Sequence, residues 1–310
     1  MEKVFWTHKN RSKLLNFKNF KDNTAHAYLI LGPQNIGKTT YAEKIAEIFL
    51  YQENQTFKKD HPDLRIISPQ GDKNPTISIS QVKEIRKIVD RSSFLGGYKV
   101  FIIKQVDKLT IPGQNALLKT LEEPTPKTIF LLTTHSERSI LPTILSRCQR
   151  IKLTSLPRGQ IKDYLKDRYG VKKSELIARY AIGRPGMALK LAEDEKALDD
   201  IVKKFEEIRK VIKSKSVFYR FRKAEEFSKP KLQNQMLDFF EIFFRDLLHL
   251  KINSEQFLVN IAVQKEMIEI AENYSVLGIL RILKDIEKIK LAILVNANPK
   301  SAFENLMLTF

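Results

Sequence analysis

At 310 residues the chain is long for one compact core, so two or three domains are expected. Lys and Arg number 54 against 36 Asp and Glu, a net charge of +18, which favours a polyanionic partner such as nucleic acid, with general solubility as the alternative. The single cysteine, Cys148, excludes an intramolecular disulfide and a cysteine-based zinc site. The first residues lack the apolar core of a signal peptide, and no apolar run approaches the ~20 residues that span a bilayer, so a cytoplasmic protein without a membrane partner is expected.

Up to about residue 150, short apolar runs alternate with amphipathic stretches, as in an α/β layered domain. Ala27 to Leu31 reads as a buried strand entering a glycine loop. A helix follows from Lys38 to about Tyr51, with Ala42, Ile45, Ala46 and Phe49 on one face. Leu64 to Ile67 is a second strand. Ser78 and Gln81 have capping-box spacing for a helix buried through Val82, Ile85, Ile88 and Val89. Val100 to Ile103 and Ile129 to Thr133 are further strands. Between them QNALLKTLEE forms a helix that stops at Pro124, because the residue before proline is pushed out of helical geometry.

After Arg150 the pattern turns helical, with Ile151 to Leu153 as its last strand. Ile151 to Lys190 carries ten Lys/Arg against three Asp/Glu, a net +7, and a Gly-Arg-Pro-Gly turn at Gly183 to Gly186 interrupts it. About five helices are predicted from Leu198 to Phe310. One, DDIVKKFEEIRKVIK, aligns Ile201, Phe205, Ile208 and Ile212. Another, LQNQMLDFFEIFFRDLLHL, is apolar over more than half its surface and is expected to be buried.

The chemistry centres on GPQNIGKT from Gly32, which follows a strand and opens a helix as a phosphate-binding loop must. Four residues between Gly32 and Gly37, Pro33 and Asn35 among them, let the backbone wrap a phosphate with its N–H groups. Lys38 supplies charge to the β and γ phosphates, Thr39 can ligate Mg²⁺, and Thr40 follows at the positive end of the helix. The companion strand reads FIIKQVD. Hydrolysis needs a carboxylate to hold Mg²⁺ and a glutamate to polarise water, and Lys104 and Gln105 stand there instead. Asp107 lies beyond and is read as capping the next turn. The site is therefore expected to accept ATP or ADP, with Mg²⁺ doubtful. Turnover is expected to be lost, since water activation alone contributes about 10²–10⁴-fold.

HAYLILGPQNIGKTT, HPDLRII from His61, NALLKTLEEPTP from Asn115, TILSRCQRIKL from Thr143 and NANPKSAFENLML near the end resemble bacterial clamp-loader subunits of the AAA+ superfamily. The resemblance implies an α/β P-loop (RecA-like) domain with a parallel sheet over 1–152, a small helical lid over 153–194 and an all-α collar over 195–310. It implies a non-motor subunit that helps load the sliding clamp onto primed DNA, beside motor subunits of tau/gamma type and a delta subunit. Ser146-Arg147-Cys148 matches the Ser-Arg-Cys motif, whose arginine reaches the nucleotide of a neighbouring subunit. Such a guanidinium can be worth about 10³–10⁵ in rate. Thr133 and Thr134 fall at the first sensor.

Departures from the family pattern are equally specific. Besides the replaced acids, Gly186 stands where catalytic relatives carry a sensor arginine, with Arg184 out of register. Leu50 to Asp60 lacks the cysteines of the family's zinc module, so no zinc is expected. Lys172 and Lys173 in the basic segment are candidate DNA contacts, with a solvated helix surface as the alternative. Two other readings stay open: a self-sufficient ATPase using Asp107, and a scaffold without nucleotide.

Overall fold

The computed structural model describes residues 14, 17, 25–51, 60–71, 75–230 and 232–310. Five strands, Ala27–Leu31 (β1), Leu64–Ile67 (β2), Lys99–Ile103 (β3), Thr128–Thr134 (β4) and Gln149–Lys152 (β5), are parallel in the order β2-β3-β4-β1-β5. The three inner strands are buried along their whole length, as near-continuous apolar runs covered on both faces must be. The outer strands β2 and β5 are partly exposed.

Side chains alternate between the two faces with period two. Tyr28, Ile30, Val100, Ile102, Ile129 and Leu131 meet Tyr41, Ala42, Ile45, Ala46 and Phe49 of Lys38–Leu50 (α1). On the opposite face Leu29, Leu31, Phe101, Ile103, Phe130 and Leu132 meet Ile79–Val89 (α2), Ile111–Glu122 (α3) and Pro142–Arg147 (α4). The capping box at Ser78 and Gln81 forms as predicted. The third helix starts three residues before QNALLKTLEE, because Thr110 caps it and Pro112 fits its first turn. Register places Leu31 beside Thr134, so β1 and β4 end together where the glycine loop begins.

At the amino end of the sheet two buried charges build the connection between α2 and β3. Asp63 accepts from the backbone N–H of Phe94 (2.6 Å) and Leu95 (3.1 Å). The Lys99 ammonium donates to the carbonyls of Val89 and Arg91 and to Thr125 Oγ1. Burial lowers the pKa of Lys99, and Asp63 and Asp90 oppose the shift.

The described residues form two compact units. The first is residues 1–161 with Gly183–Met187, and the second is Lys162–Ile182 with Ala188–Phe310. Beyond β5 come Arg158–Tyr169 (α5), Val171–Ala181 (α6), Pro185–Glu193 (α7), Glu195–Lys213 (α8), Val217–Phe227 (α9), Gln233–Lys251 (α10), Gln264–Glu272 (α11), Val276–Leu294 (α12) and Pro299–Met307 (α13). Among the described residues, α8 to α13 make six helices where about five are predicted. Leu198, Ile201, Phe205, Ile208 and Ile212 line the buried stripe of α8. In α10, Met236, Leu237, Phe239, Phe240, Phe243, Phe244 and Leu247 are buried. The same helix buries Asp246, whose carboxylate accepts from Val259 N (3.0 Å), Asn260 N (2.9 Å) and Asn260 Nδ2 (2.8 Å). Among the described residues no helix is long and apolar enough to cross a membrane.

Candidate nucleotide loop and arginine site

Gly32 to Gly37 leave β1 and turn into α1 through two left-handed positions, Asn35 (φ 61°) and Gly37 (φ 94°). Glycine suits the second, because a β-carbon disfavours this backbone. Lys38 Nζ donates to the carbonyls of Gly32 (2.7 Å) and Pro33 (2.8 Å). Two of its three protons are thus committed, leaving one for a phosphate. Burial pushes Lys38 down to about 8, partly opposed by the charge of Asp107.

At the end of β3, Lys104 N donates to Ile67 O (2.9 Å) and extends the ladder. Gln105 adopts a left-handed backbone (φ 52°) and its N–H donates to Thr133 Oγ1 (3.0 Å). Asp107, read as capping the next turn, instead lies inside the 3₁₀ turn Val106–Lys108, which has no side-chain cap. Asp107 turns inward, accepting from Thr134 Oγ1 (2.7 Å) and pairing through Oδ2 with His135 Nδ1 (3.1 Å), its side chain 3% exposed. Burial alone would raise its pKa, but the bonds from His135 and Thr134 outweigh it and keep the carboxyl below its usual value. Thr133 and Thr134 are therefore both tied through their hydroxyls to the end of β3 and the turn after it.

The turn at Gly183 to Gly186 closes on the loop. Gly186 N donates to Asn35 O (2.8 Å), and a β-carbon at 186 would stand 2.8 Å from that oxygen. The contact as it stands therefore leaves no room for a side chain at 186 unless the backbone moves.

Arg147 ends α4. Its Nη1 donates to Thr143 O (2.9 Å) and Ser146 Oγ (3.3 Å), and its Nη2 pairs with Glu122 Oε1 (2.8 Å). Cys148 is buried and its thiol is pushed up to about 12, so it packs rather than reacts. Buried Gln114 of α3 fixes the entry to α4, donating to Ser139 O (2.9 Å) and accepting from Leu141 N (2.8 Å).

A family model described as DNA polymerase III, delta subunit, matches residues 7–157. The DNA polymerase III subunit delta' of Haemophilus influenzae is 32% identical over 238 residues, covering 74% of this chain and 69% of that one. The delta' subunit of Bacillus subtilis is 27% identical over 262 residues, covering 80% and 79%. The chain belongs to the delta' family. It is also similar to the tau subunit of B. subtilis, 39% identical over 138 residues, covering 41% of this chain and 24% of tau.

In this delta' family member the loop residues, Lys104, Gln105, Asp107, Thr133 and Thr134 gather at the carboxyl end of the sheet, whereas Ser146, Arg147 and Cys148 precede β5 at its amino end. Lys172 is exposed, while Lys173 pairs with Glu195 (2.6 Å). Most of the Leu50 to Asp60 stretch, where the zinc module would lie, is outside the described residues. Gln114, Glu122 and His135 escaped the sequence reading. The signal for Glu122 was present: a glutamate ends α3, where the helix dipole disfavours negative charge.

Proposed function

We propose that this delta' family member is a non-motor subunit of a replicative clamp loader, acting in the cytoplasm. One observation carries the reading: the phosphate loop is intact while Lys104, Gln105 and the Gly186–Asn35 contact remove the acids and arginine that hydrolysis uses. Arg147 would act instead on the ATP of a tau/gamma-type neighbour, stabilising charge on its γ-phosphate. Residues 195–310 would serve as the oligomerising collar and 153–194 as the lid. Together with a delta subunit the assembly would place a sliding clamp on primed DNA without reading sequence. Exposed Lys172 is a better candidate for backbone contact than Lys173, which already has a partner.

A self-sufficient ATPase is disfavoured, because both Asp107 oxygens are engaged and the side chain is 3% exposed. A nucleotide-free scaffold is the other alternative, in which Lys38 would serve only to bond the loop carbonyls of Gly32 and Pro33. Thermal shift separates the two nucleotide readings, since ligand at 100 times its Kd adds ~2.7 kcal/mol. The decisive experiment reconstitutes the loader and compares ATPase rates with wild-type and Arg147→Ala subunits. A fall of at least a hundredfold at the affected site is expected, and an unchanged rate would sink the proposal.

A further inference from the structure

The LEEP segment at the end of α3 has no role in the reading above, yet Glu122 touches its key residue. A guanidinium has five N–H donors. Arg147 spends two on Thr143 O and Ser146 Oγ and one on Glu122, leaving Nε–H and one Nη2–H without a partner among the described residues. All three partners belong to the same chain, and the arginine side chain remains 35% exposed.

The elements around this contact are built to keep it in place. Gln114 ties the first half of α3 to the entry of α4. Just past the end of α3, Thr125 Oγ1 bonds to Val89 O (2.9 Å), to Thr128 Oγ1 (2.9 Å) and to the ammonium of Lys99. The backbone carrying Glu122 is therefore anchored on both sides. A glutamate at a helix carboxyl end is disfavoured by the helix dipole. Local rules are broken in this way where a site, rather than the fold, selects the residue.

We propose that Glu122 is a positioning residue for Arg147. It restrains one edge of the guanidinium on its own chain and leaves the free donors for the phosphate oxygens of a neighbouring subunit's nucleotide. A lone arginine on a short helix would sample several rotamers, and each wrong one would lower the fraction of competent sites. Three fixed bonds reduce that ordering cost before the neighbour arrives.

This inference rests on the reading of Arg147 as acting in trans, and the test separates the two. Loader complexes reconstituted with the motor and delta subunits carry Glu122→Gln, Glu122→Asp, Arg147→Ala or Glu122→Gln with Arg147→Ala. Glu122→Gln is expected to lower kcat about three- to tenfold, a typical cost of lost orientation, with KM for ATP and assembly on gel filtration unchanged. Glu122→Asp should recover part of the loss. The double variant should be no slower than Arg147→Ala alone. Full activity of Glu122→Gln, or an equal further loss in the Arg147→Ala background, overturns the positioning role alone. An unchanged rate for Arg147→Ala overturns the trans reading and this inference with it.

Discussion

Gly186→Ala tests the closed contact between the Gly183–Gly186 turn and the phosphate loop. The added β-carbon would lie 2.8 Å from Asn35 O and 3.4 Å from Asn35 C and Cα. An ordinary carbon–oxygen approach is about 3.3 Å or more, so roughly half an ångström must be found by moving backbone. Overpacking of this kind costs about 1–3 kcal/mol. If the turn retreats instead, the Gly186 N–Asn35 O bond is lost, at about 0.5–1.5 kcal/mol. The two routes bracket about 0.5–3 kcal/mol, which lowers the melting point of the loop-bearing unit by roughly 1–12 °C. Calorimetry of the full chain resolves the two units if they melt separately, and the loss belongs to the first. Gly186→Arg should be at least as unstable and should gain no ATP turnover. A Gly186→Ala protein that melts with wild type would refute the steric argument. A stable Gly186→Arg protein with tighter ATP binding would refute the claim that the contact leaves no room for a side chain.

Lys38 is depressed to about 8, below the 10.5 of the unfolded chain, so the folded state holds fewer protons between those values and this residue's contribution to stability rises with pH there. Lys38→Met should therefore raise the melting point at pH 7 while abolishing ATP binding by calorimetric titration; a lower melting point would contradict the burial argument. In the wild-type chain ATP affinity should hold from pH 6 to 7.5 and weaken towards pH 9, by at most about tenfold per unit. Because the metal-holding acid is replaced, EDTA should change that affinity little; a large drop on chelation would mean that Thr39 still organises Mg²⁺. Asp246→Ala should cost about 2–4 kcal/mol in urea titration, since three donors lose a buried acceptor, and a loss under 1 kcal/mol would show that water replaces the carboxylate.

Patterns that depend on near neighbours were readable in the sequence. The capping box at Ser78, the stripe of α8 and the apolar excess of α10 all follow from spacing along one element. The strand β3 was readable too, as an apolar run that ends at Lys104 and Gln105. The inward turn of Asp107 was not. It depends on Thr134 and His135 arriving at the end of a different strand, while an aspartate just before a helix reads by default as a cap. The fit of Gly186 against Asn35 was hidden for the same reason: the motif marks the turn but not what it touches. The helix at QNALLKTLEE could be read from its sequence, but that the Gln114 amide turns inward to Ser139 and Leu141 depends on the packing of α3 against α4.

The anchoring at Asp63 and Lys99 makes the connections at the amino end of the sheet depend on one another. At the amino end, two buried charges tie the end of α2, the exposed Phe94–Leu95 tip and the turn after α3 into one hydrogen-bonded assembly. No strand of that assembly can open alone without stranding a charge in the core, so its amides should exchange with solvent together and slowly. At the carboxyl end a backbone bond joins exposed Asn35 to Gly186 of a largely buried turn, and buried Asp107 ties β3 to Thr134 and His135. A load applied at Arg147 would fall on the end of the sheet where Asp63 and Lys99 join separate connections into one assembly.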